Sequence, residues 1–176
     1  MPIRKYRDIT PAIVGSAFID EMALVIGDVT IGEDASLWPM VVARGDVHSI
    51  TIGARTNIQD GSILHVTSDN EFNPGGGPLV IGEDVTVGHG AILHACTIEN
   101  FSLVGMGATV LDGAIIEDHV MVGAGSLVAP GKRLESGYLY VGSPTRQVRP
   151  LTEKELAWLA YSSSHYVALK NSHMKN

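Results

Sequence analysis

The sequence predicts an all-β chain: a parallel β-helix of triangular section, closed by one C-terminal α-helix. Two observations carry this. From Ile13 onward an aliphatic residue recurs every six positions, with a small or β-branched residue four places later, as in VIGDVT (25–30), IGEDAS (31–36) and VGAGSL (122–127). A period of six fits neither the helix nor the ordinary strand, and hexapeptide repeats mark a parallel β-helix. After the repeat stops, a T-x-x-E capping box at Thr152 and Glu155 opens a helix.

The elements follow in order. Ile13, Ile19, Val25, Ile31, Leu37 and Ala43 are the first anchors; after a short insertion at 49–51 they resume at Ile52, Ile58 and Leu64. The stretch 68–78 (SDNEFNPGGGP) breaks the period and reads as a loop ejected from the wall. Such loops often carry function, because the wall fixes their ends. Ile81, Val87 and Leu93 come next, then one five-residue step to Ile98, Val104, Val110, Ile116, Val122 and Val128. At three per coil, these eighteen anchors give about six coils. The anchors point inward as the core, and Gly and Asp-type residues take the corners, where positive φ is needed. Beyond 143–150 (SPTRQVRP), Leu156, Leu159 and Ala160 begin an apolar stripe on the helix, which straps prism surface, its own or a neighbour's. Two parts are therefore expected: the β-helix over 1–149 and the helix, packed on the prism, over 150–176.

Composition narrows the function classes. With 12 basic against 19 acidic residues, the chain lacks the clustered Lys and Arg that nucleic acid requires. The single cysteine, Cys96, forms no internal disulfide. The start, MPIRKYRD, has no apolar leader region, and no run of 18 apolar residues occurs. A cytoplasmic protein without a membrane partner is expected.

The six-residue clock gives each polar side chain an address. Arg44, His65 and His94 each hold the second position of a hexad on the first face, so they stack on consecutive rungs ~4.8 Å apart. Gln59 and Asp60 hold the second and third positions on the third face, and His89 stands one rung above Asp60. The two ladders diverge around an edge. A homotrimer joins them, because the first face of one subunit then meets the third face of the next. His65 and His94 from one chain and His89 from its neighbour then share one metal ion, with a fourth position open for water, the pattern of a catalytic zinc. Beneath the metal, Arg44 of one subunit pairs with Asp60 of the next. Gln59 hydrogen-bonds an oxygen on the metal, and Asp46 orients either the guanidinium or a ligand histidine.

At Arg44-Gly45-Asp46, 57–61 (NIQDG), Leu64-His65 and the His89/His94 pair, the chain resembles the γ-class carbonic anhydrases, and within them a YrdA-like bacterial branch. The resemblance extends over nearly the whole chain, including Gly142-Ser143-Pro144 and the terminal helix, and it supplies the left hand of the coil. It implies a trimer with Zn2+ or Fe2+ at each seam, where metal-bound hydroxide converts carbon dioxide to bicarbonate. It implies His65, His94 and His89 as ligands, Arg44 and Asp60 as the intersubunit ion pair, and Gln59 in contact with hydroxide or bicarbonate. Two places depart from the family pattern. Val47 stands where a proton-shuttling glutamate is expected, and the loop at 68–78 is short, with only Asp69 and Glu71. Glu71, His48, Tyr161 and Tyr166 are the alternative proton carriers.

Other readings compete. A hexapeptide acyltransferase shares the prism but needs only one seam histidine. A metal-stapled trimeric scaffold needs no turnover, and a thioesterase would use the same hydroxide. His119, His165 and His173 have no convergent partners, nor does His48 as a ligand. Cys96 sits off the ligand ladder and reads as a small packing thiol. The run Gly75-Gly76-Gly77 lacks the helix start and G-K-[ST] of a phosphate loop.

Overall fold

Each aliphatic anchor becomes one inward-pointing rung. In a computed structural model describing residues 2–175, every anchor from Val25 to Val128 is buried, while Ile13 and Ile19 are half-buried and pack on the same core. The outer limits of the two expected parts, Met1 and Asn176, lie outside the described residues. The coil is a left-handed parallel β-helix with three faces. The strands Leu24–Ile31 and Val42–Ile52 each turn a corner, so one twelve-stranded sheet supplies two faces of seven rungs that share these two strands. The eight-stranded sheet supplies the third face: seven parallel rungs, plus Arg146–Pro150 pairing antiparallel with Tyr138–Val141.

Seven rungs per face exceed the six coils expected. Ile3 pairs with Val25, Leu134 pairs beyond Ile116, and Tyr140 pairs beyond Val122, adding one rung to each face. Ile3 stands ten residues from Ile13, and Tyr140 is aromatic, so neither fits an aliphatic six-residue count. The corners also differ from expectation. Positive φ occurs at Asp34, Asp84 and several glycines, but also at Met40, Arg55, Phe101 and His119. The coil imposes the corner geometry on whatever residue falls there, despite its cost for side chains other than Gly and Asn/Asp.

The first insertion lies earlier than 49–51. Gly27 pairs with Gly45 and Val29 with Ile50, so Asp28 alone faces residues 46–49, while Ile50 and Thr51 remain in the ladder. This is an extended bulge, a device that re-aims side chains. Gly45 is required at its start, because a Cβ there would lie 2.3 Å from the Asp28 carbonyl oxygen. The second insertion leaves the wall as expected, with Thr67 and Gly77 bridged across its neck.

The helix, Glu153–His173, opens with the expected capping box, but of the expected apolar stripe only Leu159 is buried. Leu156 and Ala160 are exposed; Leu159, Ser162, Ser163 and Lys170 are buried. The helix runs along the third face of its own chain. Ser162 Oγ lies 2.8 Å from Thr86 Oγ1, and Ser163 Oγ donates to Asp84 Oδ1 at 2.6 Å. Lys170 Nζ reaches Asp34 Oδ1 and the Ser16 carbonyl, both at 2.7 Å. Trp38 meets Tyr166 and His173 edge-on.

Candidate metal centre

The first face carries the ladder that the clock predicts. Ala43 pairs with Leu64, which sets Arg44 beside His65 on the next rung, and His65 pairs with His94. The strands bearing His65 and His94 end at the corner, and Val42–Ile52 turns it through the bulge, so both insertions border these residues. On the third face Ile58 pairs with Val87, and two residues further on Asp60 and His89 meet.

Each of the three histidines is backed by a carboxylate. His65 Nε2 lies 3.1 Å from Asp46 Oδ1, His94 Nδ1 lies 2.7 Å from Asp112 Oδ1, and His89 Nδ1 lies 2.9 Å from Asp60 Oδ2. An ionised carboxylate only accepts, so each of these ring nitrogens must donate. The carboxylates at the first face are held ionised. Burial acts to raise the Asp46 pKa, but hydrogen bonds from Arg44 and His65 outweigh it and hold it below the usual range. Burial likewise opposes ionisation of Asp112, and the bonds from Thr67 and His94 prevail. His65 is shifted down, first by burial, with the positive fields of Arg44 and His94 adding to it against the Asp46 hydrogen bond.

The other ring nitrogens face each other: His65 Nδ1 lies 3.1 Å from His94 Nε2. With the opposite nitrogens committed as donors, both of these are lone-pair acceptors in the neutral rings. Two acceptors at that distance repel unless a proton or a metal ion lies between them. Nitrogens bound at ~2.0–2.1 Å to one tetrahedral zinc stand about 3.3 Å apart, so the donor set fits a metal ion. Among the described residues, no three His, Cys, Asp or Glu side chains of the single chain converge closely enough to hold one. His89 stands on the other sheet, half-exposed, with Nε2 unengaged by its Asp60 bond.

The remaining predicted residues fall as follows. Within the chain, Arg44 Nη1 donates to Asp46 Oδ2 at 2.5 Å, so Asp46 holds both the guanidinium and His65. Asp60 contacts His89 rather than its own chain's Arg44. Gln59 is buried on the third face, where its Nε2 donates to Asn57 Oδ1 at 3.1 Å. It lines a mostly apolar groove of about 430 Å3 with Met106, Trp158 and Tyr166. Tyr166 has a raised pKa, first from burial and then from the charge of Asp60. Val47 is exposed, and His48 Nδ1 accepts the Ser49 backbone N–H at 2.8 Å. Cys96 is buried, and burial pushes its thiol up to about 12. Sequence reasoning missed Asp112 and Thr67. Asp112 follows the Val110 anchor by two residues, one rung above the histidine pair, so its address pointed at His94.

Comparison with known proteins agrees with the fold and adds relatives. Residues 95–130 match the family described as bacterial transferase hexapeptide (six repeats). The chain is 59% identical over 172 residues to Protein YrdA of Escherichia coli (strain K12), covering 98% of this chain and 94% of that protein. It is 44% identical to a carbonic anhydrase of Geobacillus kaustophilus, covering 94% of this chain and 87% of the relative. A crystal structure of a hexapeptide transferase family protein from Anaplasma phagocytophilum superposes with a TM-score of 0.90 at 42% identity, covering 97% of this chain and 96% of the other.

Proposed function

The chain belongs to the γ-class carbonic anhydrase family, in its YrdA-like branch, and from that membership we propose that it hydrates carbon dioxide reversibly at a divalent metal shared between subunits of a cytoplasmic homotrimer. The observation that carries the reading is the facing pair His65 Nδ1 and His94 Nε2, two acceptors 3.1 Å apart with carboxylates fixed behind both rings. Zinc or ferrous iron bound there would supply Lewis acidity that activates water near neutral pH. His65 and His94 hold the ion with His89 of the neighbouring chain. Asp46, Asp112 and Asp60 fix the tautomer of each ring and raise its basicity. Arg44 faces Asp60 of the next chain and fastens the seam. Gln59 supplies an amide donor next to Asp60 for a bicarbonate oxygen.

Hydration also releases a proton. Val47 has no group to carry it, so turnover is slow and depends on buffer. No helix of the described residues is long and apolar enough to cross a membrane. Stopped-flow hydration by zinc- or iron-loaded protein tests the reading. Activity that rises with added imidazole and disappears in His65→Ala supports it. Metal-replete trimer with no rate above buffer leaves the metal-stapled scaffold instead. The Anaplasma relative favours a second reading, acyl transfer along the apolar groove under the helix. Retention on immobilised coenzyme A together with acyl transfer would establish that alternative.

A further inference from the structure

We propose that Asp112 and Thr67 form a positioning relay for His94, which ties the neck of the ejected loop to the metal pair. The inference rests on the functional reading above and assigns roles to two residues outside the ligand set. Thr67 is pinned across the neck by two backbone hydrogen bonds with Gly77, at 3.0 and 2.9 Å. Its hydroxyl donates to Asp112 Oδ2. The other oxygen, Asp112 Oδ1, accepts from His94 Nδ1 at 2.7 Å. The chain of contacts therefore runs from loop neck to hydroxyl, carboxylate and imidazole, and it ends at Nε2, which faces His65.

Each link fixes one degree of freedom. Asp112 is 40% exposed and stands at a corner, so nothing in the core holds its carboxylate plane. Thr67 does so by engaging one oxygen. The second oxygen then selects the Nδ1–H form of His94 and sets the ring's rotation. The coil does not need either side chain. The Asp112 backbone carbonyl accepts the Gly131 N–H at 2.8 Å, and the Thr67 backbone makes the neck bridge, whatever the side chains are. Removing them should leave the prism folded and change only the aim of His94. Carboxylates behind metal-bound imidazoles act in this way in general.

The test has two readouts. Nitrogen NMR of the metal-free wild-type chain should find His94 in its Nδ1–H form, and Asp112→Ala should shift it toward the Nε2–H form that predominates in free imidazole side chains. Chelator competition should show zinc bound about 10–100-fold more weakly in Asp112→Ala. Thr67→Val should weaken it by a smaller factor, and Thr67→Ser should restore wild-type affinity. Melting of the metal-free variants should match wild type, which separates aim from folding. An Nε2–H tautomer in the metal-free wild type, or unchanged zinc affinity in Asp112→Ala, would overturn the relay. A wild-type trimer that takes up no zinc would end the functional reading instead, and the tautomer would still decide whether the relay exists.

Discussion

Two polar clusters lie on the outside of the same apolar prism, and they differ in one respect. Under the helix, each buried charge is satisfied. Lys170 is fully buried, with Asp34, the Ser16 carbonyl and Asn171 all at 2.7 Å. Arg55 engages Asp84 through both carboxylate oxygens, and Ser163 closes the remaining side. On the first face, Asp46 and Asp112 are equally well engaged, yet His65 Nδ1 and His94 Nε2 between them face each other with no donor when both rings are neutral. A closed network fixes one structure. Ring nitrogens whose lone pairs converge on one point fit a cation held between them, which is the reading proposed above.

This contrast can be broken by mutation, and the largest effect belongs to the open cluster. Zinc sites supply ~10–16 kcal/mol over four ligands. His65→Ala should therefore cost about 2.5–4 kcal/mol of zinc binding, roughly 100- to 1000-fold, as read by chelator competition. The metal-free protein should melt no lower than wild type, since the facing acceptors no longer repel. Lys170→Ala does the opposite. It leaves a carboxylate without its ammonium partner, and breaking buried pairs costs ~3–5 kcal/mol. Asp34 keeps a third of its side-chain exposure, so about 3 kcal/mol is expected from denaturant unfolding, with zinc affinity unchanged.

Acid sharpens the contrast further. Burial acts to raise the Asp84 pKa, but hydrogen bonds from Arg55 and Ser163 outweigh it, so the folded value lies below the unfolded one. The stability it contributes is thus fully present above about pH 4 and is lost as pH falls through the depressed native value. Asp84→Asn should flatten that part of a stability–pH curve measured below pH 4. The smallest effect is at the helix start. Thr152 accepts from the Glu155 N–H, and Thr152→Ala should cost about 1 kcal/mol of unfolding stability without touching the metal pair.

The two clusters were not equally legible in the sequence. A six-residue period fixes both which face a side chain joins and which rung it takes, so Arg44, His65 and His94 could be stacked by counting alone. Asp60 and His89 followed from the same arithmetic. The count failed where the coil is interrupted. The bulge sits at 46–49, and only its geometry shows that Asp46 reaches both Arg44 and His65. Asp112 had an address but no motif. Thr67 had neither, because its hydroxyl meets Asp112 only through the ejected loop's neck. The helix misled for a different reason. Leu159 is buried as expected, but Ser162, Ser163 and Lys170 are buried beside it, and a serine or lysine is buried only when a partner awaits it on another element, which no local pattern records.

The central claim is that the facing histidine pair is completed by His89 of the adjacent chain. Its most direct test is zinc binding by trimers assembled from His65→Ala and His89→Ala chains mixed after unfolding. Neither variant alone should hold zinc tightly, and mixed trimers should regain it, since a seam joining the intact pair of one chain to the intact His89 of the other is competent. Mixed trimers verified by mass that still fail to bind zinc, or a His89→Ala protein that binds as tightly as wild type, would contradict it.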